Sequence, residues 1–174
     1  MNLEYKSLLD ENFSFDSRVW IYQSSRLFTL NEALAIEDLL NDFTAKWLSH
    51  GVPVKGAGYL FFGQFIILMA DEKATGVSGC STDTSVRLIK DIEQRFGVNM
   101  FDRTTLAFVV KDRSDSYRVQ LLPLSQLQYA FDNRFIDWHT LYFNNLVQTK
   151  GELENNWLVP IKDSWLSKKI TVNV

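Results

Sequence analysis

The chain has 174 residues, with 18 Lys and Arg against 21 Asp and Glu for a net charge of -3, and 46% of its residues are hydrophobic. That hydrophobic share excludes a disordered chain, and the interspersed, slightly acidic charge argues against general nucleic-acid binding, which draws its affinity from a basic surplus against phosphates. The single cysteine, Cys80, rules out an intramolecular disulfide framework and any Cys-rich zinc site, and fits a reducing compartment.

A chain of this length buries roughly 70% of the surface that its unfolded form exposes, so one domain spanning residues 1–174 is expected to stand without staples. The first residues carry acids early, with no apolar core of signal-peptide length, and no segment reaches the ~20 apolar residues that span a bilayer. The expectation is a soluble cytoplasmic protein.

Residues 1–17 read as a peripheral lead-in. Residues 19–22, Val-Trp-Ile-Tyr, form a short β-type run. Thr29 and Glu32 then stand three apart ahead of an apolar pattern, the arrangement of a capping box. Ala33, Ile36, Leu40, Phe43 and Trp47 follow at helical spacing on one face, and Gly51 and Pro53 close the segment. Residues 55–70 predict a hairpin, Y-L-F-F, then Gly63-Gln64, then F-I-I-L-M-A. An unbroken apolar run, unlike an alternating one, implies packing above and below the sheet, and Gly63 suits the first central position of the turn because it tolerates positive φ. After a polar connection, Ser81, Thr82 and Asp83 are N-cap candidates for a second helix that turns Val86, Ile89, Ile92 and Phe96 inward and is stopped by Gly97. Residues 105–110 and 117–122 read as two more strands, and residues 124–131 and 135–148 as helices ahead of a Trp-containing tail.

That order is β-α-β-β-α-β with one added strand and C-terminal helices. The fold expected is α+β, a ferredoxin-like antiparallel sheet over residues 19–122, with residues 123–174 forming helices and tail. In that plan the fourth strand pairs with the first, and both helices cover one face. The other face then needs a cover, either the C-terminal segment with Trp138, Tyr142, Phe143, Trp157 and Trp165 or a second copy of the chain as a homo-oligomer.

Cys80 falls at the expected start of the second helix, where free amides and the helix dipole favour a thiolate, and the topology puts His50 at the same end of the sheet. The pair could serve as nucleophile and base; the plainer reading is a buried thiol acting as a small hydrophobe. Around it, Ser81 and Thr82 could hold an anion on helix amides or simply cap the helix. At the opposite end, Ser24 and Arg26 are expected to approach Asp102 and Arg103, as a site for a carboxylate or phosphate or as an ion pair tying two loops. His50 and His139 are far apart in sequence with no ligand spacing around them, so no metal is expected; His139 reads as a partly buried core residue. No cofactor motif is present.

The stretch G-C-S-T-D-T-S-V-R-L-I-K-D-I-E-Q-R-F-G-V-N-M-F-D-R, together with V-W-I-Y-Q-S-S-R-L-F-T, resembles a group of short bacterial proteins commonly labelled "ABC transporter ATPase". The likeness spans residues 19–103. Its label implies a nucleotide-related role, but G-x-x-x-x-G-K-[ST], which would place a lysine on phosphates, does not occur in this chain, so no ATP-binding or catalytic residue is carried over. The function expected is a non-catalytic module that works through self-association or a small ligand. The alternative is a thiol enzyme using Cys80 with His50.

Overall fold

The computed structural model describes residues 1–71, 79–112 and 114–171, without the side chains of residues 79–82. Two antiparallel sheets pack face to face, and helices cover their outer sides. The first sheet contains β1 (Arg18–Gln23), β4 (Gly56–Phe61) and β5 (Phe65–Ala70) in the order β1-β5-β4. The second contains β6 (Thr105–Lys111), β7 (Tyr117–Pro123), β8 (Leu141–Phe143) and β9 (Leu158–Pro160) in the order β7-β6-β8-β9. A small hairpin, β2 (Leu48–Ser49) with β3 (Val52–Pro53), follows the first helix.

All six residues of β5 are fully buried, as its unbroken apolar run demands. Ile66 and Leu68 join Tyr22 in packing against Ile36 and Leu40 of α1 (Leu30–Lys46) and Ile89 and Ile92 of α2 (Gly79–Phe96). Phe65, Ile67 and Met69 point the other way, into a cluster with Ala107 and Val109 of β6, Phe143 of β8 and Trp157. The lead-in closes the same cluster with Tyr5, Leu9 and Phe13, and the Tyr5 hydroxyl donates to the Leu153 carbonyl at 2.7 Å. The second sheet's far face, with Leu106, Phe108 and Tyr142, rests on α3 (Leu127–Asp132) and on Ile161 and Leu166 of two 3-10 turns.

The α+β content is as expected; the single ferredoxin-like sheet is not formed. The order β1-β5-β4 matches that plan for three strands, but β6 pairs with β7 and β8 instead of β1. The cause lies in residues 135–148, read as helical and in fact a run of turns and bends around one short strand at Leu141–Phe143. The Asp137 carboxylate accepts from the amides of His139 and Thr140 at 2.8 and 2.9 Å, a turn that diverts the backbone from a helix. Leu141-Tyr142-Phe143 then runs as β8, bulky aromatic residues suited to a pleated surface, and takes the edge of β6 that β1 was expected to occupy. Folding the second sheet beneath the first gives β5 its second cover within one chain. Of the aromatic residues expected to provide it, Phe143 and Trp157 do so, whereas Trp138, Tyr142 and Trp165 belong to the far side of the second sheet. His139 is exposed, not a core residue.

The turn of the β4–β5 hairpin also differs in register. Gly63 takes positive φ as expected (61°) but at the second central position, with Phe62 before it at 55°, and the Gln64 amide donates to the Phe61 carbonyl at 3.1 Å. This leaves the Gln64 side chain free to turn inward, where it is buried and donates to the Ser24 carbonyl at 3.1 Å. The Ser24 amide returns a bond to the Gln64 carbonyl at 2.8 Å, clasping the hairpin to the loop after β1.

Candidate functional site

Pairing alternates along an antiparallel strand, so every second residue of β1 turns its amide and carbonyl away from β5. The Val19 amide donates outward to the Gln148 carbonyl at 2.8 Å, which fixes the phase: Val19, Ile21 and Gln23 present their backbone groups to the outer edge. Near Arg18 that edge is occupied, since Thr149 bridges to Arg18 and the Lys150 amide donates to the Ser17 carbonyl at 2.8 Å. From Ile21 to Gln23 no strand pairs with it among the described residues.

A cleft of about 310 Å³ opens there. One wall is β1 itself, a second is the loop carrying Met100, Phe101, Asp102 and Arg103, and a third is the stretch from Phe143 to Gln148. One end is fixed by a chain of amide bonds. The Gln23 side chain donates to the Thr105 carbonyl at 3.0 Å and accepts from Asn145 Nδ2 at 2.8 Å, while Asn145 Oδ1 accepts from Trp157 Nε1 at 3.0 Å. The buried Trp157 indole thus anchors an asparagine at the cleft wall, so the core and the cleft share one support.

The ionisable groups here divide into engaged and open. Asp102 Oδ1 accepts from the Thr104 amide and hydroxyl, both at 2.7 Å, and Oδ2 accepts from the Thr105 hydroxyl at 2.6 Å. Those hydroxyls hold its carboxyl down to about 2. Arg103 is exposed and makes no hydrogen bond or ion pair among the described residues. Tyr22 and Tyr142, both cleft residues, have phenols raised above the ordinary 10 by burial; Tyr22 is hydrogen-bonded to Ser85, and Tyr142 accepts from Trp165 Nε1 at 3.2 Å. Neither phenol is set up to act as a base near neutral pH.

The sequence-predicted residues are distributed differently. Asp102 and Arg103 do line the cleft, but Ser24 and Arg26 lie outside it. Arg26 forms a two-pronged pair with Glu32 at 2.8 and 2.9 Å and donates to the Phe96 carbonyl at 2.6 Å. Ser25 meets Asn99 by two bonds, its amide to the Asn99 carbonyl at 2.9 Å and its hydroxyl accepting from the Asn99 amide at 3.0 Å. The loop after β1 is therefore tied to the end of α2, and the expected contact between Arg26 and Asp102 is replaced by a structural pair six residues away. His50 is an exposed turn residue with φ of 51°, between β2 and β3. The side chains of Cys80, Ser81 and Thr82 lie outside the described residues, so their expected roles as nucleophile or anion ligands have no geometry to set beside His50.

Sequence reasoning missed the cleft's most constrained residues, Gln23 and Asn145. Gln23 ends an apolar run and Asn145 is the second of an Asn-Asn pair, with no local pattern joining them, and they meet across 122 positions. A weak signal exists in Gln23, a polar residue closing an otherwise apolar strand. Among the described residues no group of three or more His, Cys, Asp or Glu is placed to hold a metal ion, and no helix is long and apolar enough to cross a membrane. Comparison with protein-family models, curated proteins and solved structures finds no match to this chain.

Proposed function

We propose that the chain is a non-catalytic binding module of the cytoplasm that takes a small ligand into the cleft beside β1. One observation carries this reading: among the described residues, the edge of a strand at the centre of the molecule is left without a backbone partner from Ile21 to Gln23, and it opens onto a cleft with polar and apolar walls. Concave sites with a few fixed polar groups among apolar side chains are the usual form of small-molecule sites. The one carboxylate lining the cleft among the described residues is taken up by its own loop, and the cleft's phenols are held protonated, so its groups are suited to holding a ligand and ill suited to moving protons. The single cysteine supports the reducing compartment.

The reading is tested by titrating isotope-labelled protein with a library of small amides and carboxylates and following the amide resonances. Shifts are expected at residues 20–23, 101–105 and 145–148. Compounds that shift only other regions, or a library without a single hit in these three segments, would overturn it.

A further inference from the structure

We propose that the ligand is a short peptide-like molecule that binds extended along β1, hydrogen-bonded to the outward backbone groups of Ile21 and Gln23, with a carboxylate held by Arg103. This rests on the binding reading above and names the class of ligand.

The chain itself supplies the first argument. Residues 148–150 already meet this edge in an isolated antiparallel bridge at Thr149, through Val19 to Gln148 and Lys150 to Ser17, both at 2.8 Å. That segment then turns away through Asn145 and Leu146, which become cleft wall. The Val19 carbonyl, the Ile21 amide and carbonyl, and the Gln23 amide continue the same ladder, and an extended backbone is the group that matches their alternating donors and acceptors. From Val19 to Gln23 the strand rises about 13 Å, room for roughly three added residues. The Gln148 contact bounds one end, and the bond from Gln23 to Thr105 bounds the other, so the space suits a short molecule better than a long chain passing through.

Charge supplies the second argument. Asp102 and Arg103 are adjacent on one wall, but the Asp102 oxygens are taken by Thr104 and Thr105 whereas Arg103 has no such partner among the described residues. A second guanidinium, that of Arg18, lines the cleft and sits over the Trp20 ring at 5.1 Å. The wall thus presents an uncommitted cation and a committed anion, which favours a carboxylate ligand, since a guanidinium binds that group with charge-assisted, two-pronged bonds.

Calorimetric titration of the intact protein with acetyl-Ala-Val-Ala, as the free acid and as the C-terminal amide, tests both parts. The acid is expected to bind about tenfold more tightly than the amide, and Arg103→Gln to erase that preference while leaving the amide's affinity unchanged. Ile21→Pro removes a donor that the β1–β5 ladder does not use, and is expected to abolish binding of both peptides. If that variant unfolds, slowed hydrogen exchange at the wild-type Ile21 and Gln23 amides on adding peptide is the equivalent readout. Equal binding of acid and amide would overturn the carboxylate assignment. Absence of any shift or protection at Ile21 and Gln23 at millimolar peptide would overturn the peptide inference. In that event, library compounds that still shift residues 20–23 would leave the binding reading standing, and their absence would remove both.

Discussion

At the residue scale, the Glu32 carboxylate ties the first turn of α1 to the loop after β1, accepting from the Thr29 amide and from the Arg26 guanidinium. The capping box of α1 is present as expected, with the Thr29 hydroxyl accepting from the Glu32 amide at 3.4 Å and the Glu32 carboxylate accepting from the Thr29 amide at 2.8 Å. Beyond local reading lies the second use of Glu32, because Arg26 reaches it only after the loop has folded back on α2. With the Arg26 guanidinium first and the Thr29 amide second, these bonds hold the Glu32 carboxyl at about 2 instead of the ordinary 4.5. A carboxyl depressed on folding stabilises the native state above its unfolded value, and that contribution fades as pH falls toward the folded one. The wild-type protein is therefore expected to unfold at a higher urea concentration than Glu32→Gln near neutral pH, with the gap narrowing below about 4.5 and closing near 2. A gap of constant size over that range in urea titrations would show that the carboxylate is not held by Arg26 in solution.

At the element scale, periodicity marks α1 and α2, each of which buries one face, and an unbroken apolar run marks the β4–β5 hairpin, whose second strand is buried at all six positions. Periodicity fails over residues 135–148, where aromatic residues at mixed spacing fit either period and the deciding feature is the turn at Asp137. Reading β8 as helix leaves β1 as the partner of β6 and hides the outer edge of β1, which the described strands leave unpaired from Ile21 to Gln23 and on which the cleft depends. The contact between α1 and β4 is more sharply specified. A Cβ added at Gly56 would stand 2.6 Å from Trp47 Cε3, and one at Gly58 would stand 3.0 Å from Leu40 Cβ. These glycines let the helix and the Trp47 ring sit directly on the strand. Gly56→Val should thus force the indole to shift and destabilise the protein by about 1–3 kcal/mol. Urea unfolding that shows no loss would mean that the helix does not approach so closely.

At the scale of the whole molecule, the claim that the apolar hairpin must be covered twice is met by joining two sheets through one shared cluster. Trp157 stands at its centre, 4.9 Å from the Tyr5 ring, 5.4 Å from Phe65 and 5.3 Å from Phe143, so it touches the lead-in and both sheets at once. Truncating so large a buried ring costs about 3–5 kcal/mol, and Trp157→Ala should lose that much in denaturant unfolding. It should also loosen Asn145, weakening any ligand in the cleft. The shared cluster has a further consequence for cooperativity. Neither sheet can separate without baring Phe65, Ile67 and Met69 on one side or Ala107, Val109 and Phe143 on the other, all buried in the same cluster. Partial opening along this plane would therefore cost much of what global unfolding costs, and the two sheets should behave as one cooperative unit. Native-state hydrogen exchange tests this directly. The amides of Leu68 in β5 and Phe108 in β6 are expected to exchange with opening free energies equal to each other and to the global value within about 1 kcal/mol. Exchange of Phe108 through a much cheaper opening would show that the second sheet folds and unfolds separately, and the cleft it forms with β1 would then be a transient feature in solution.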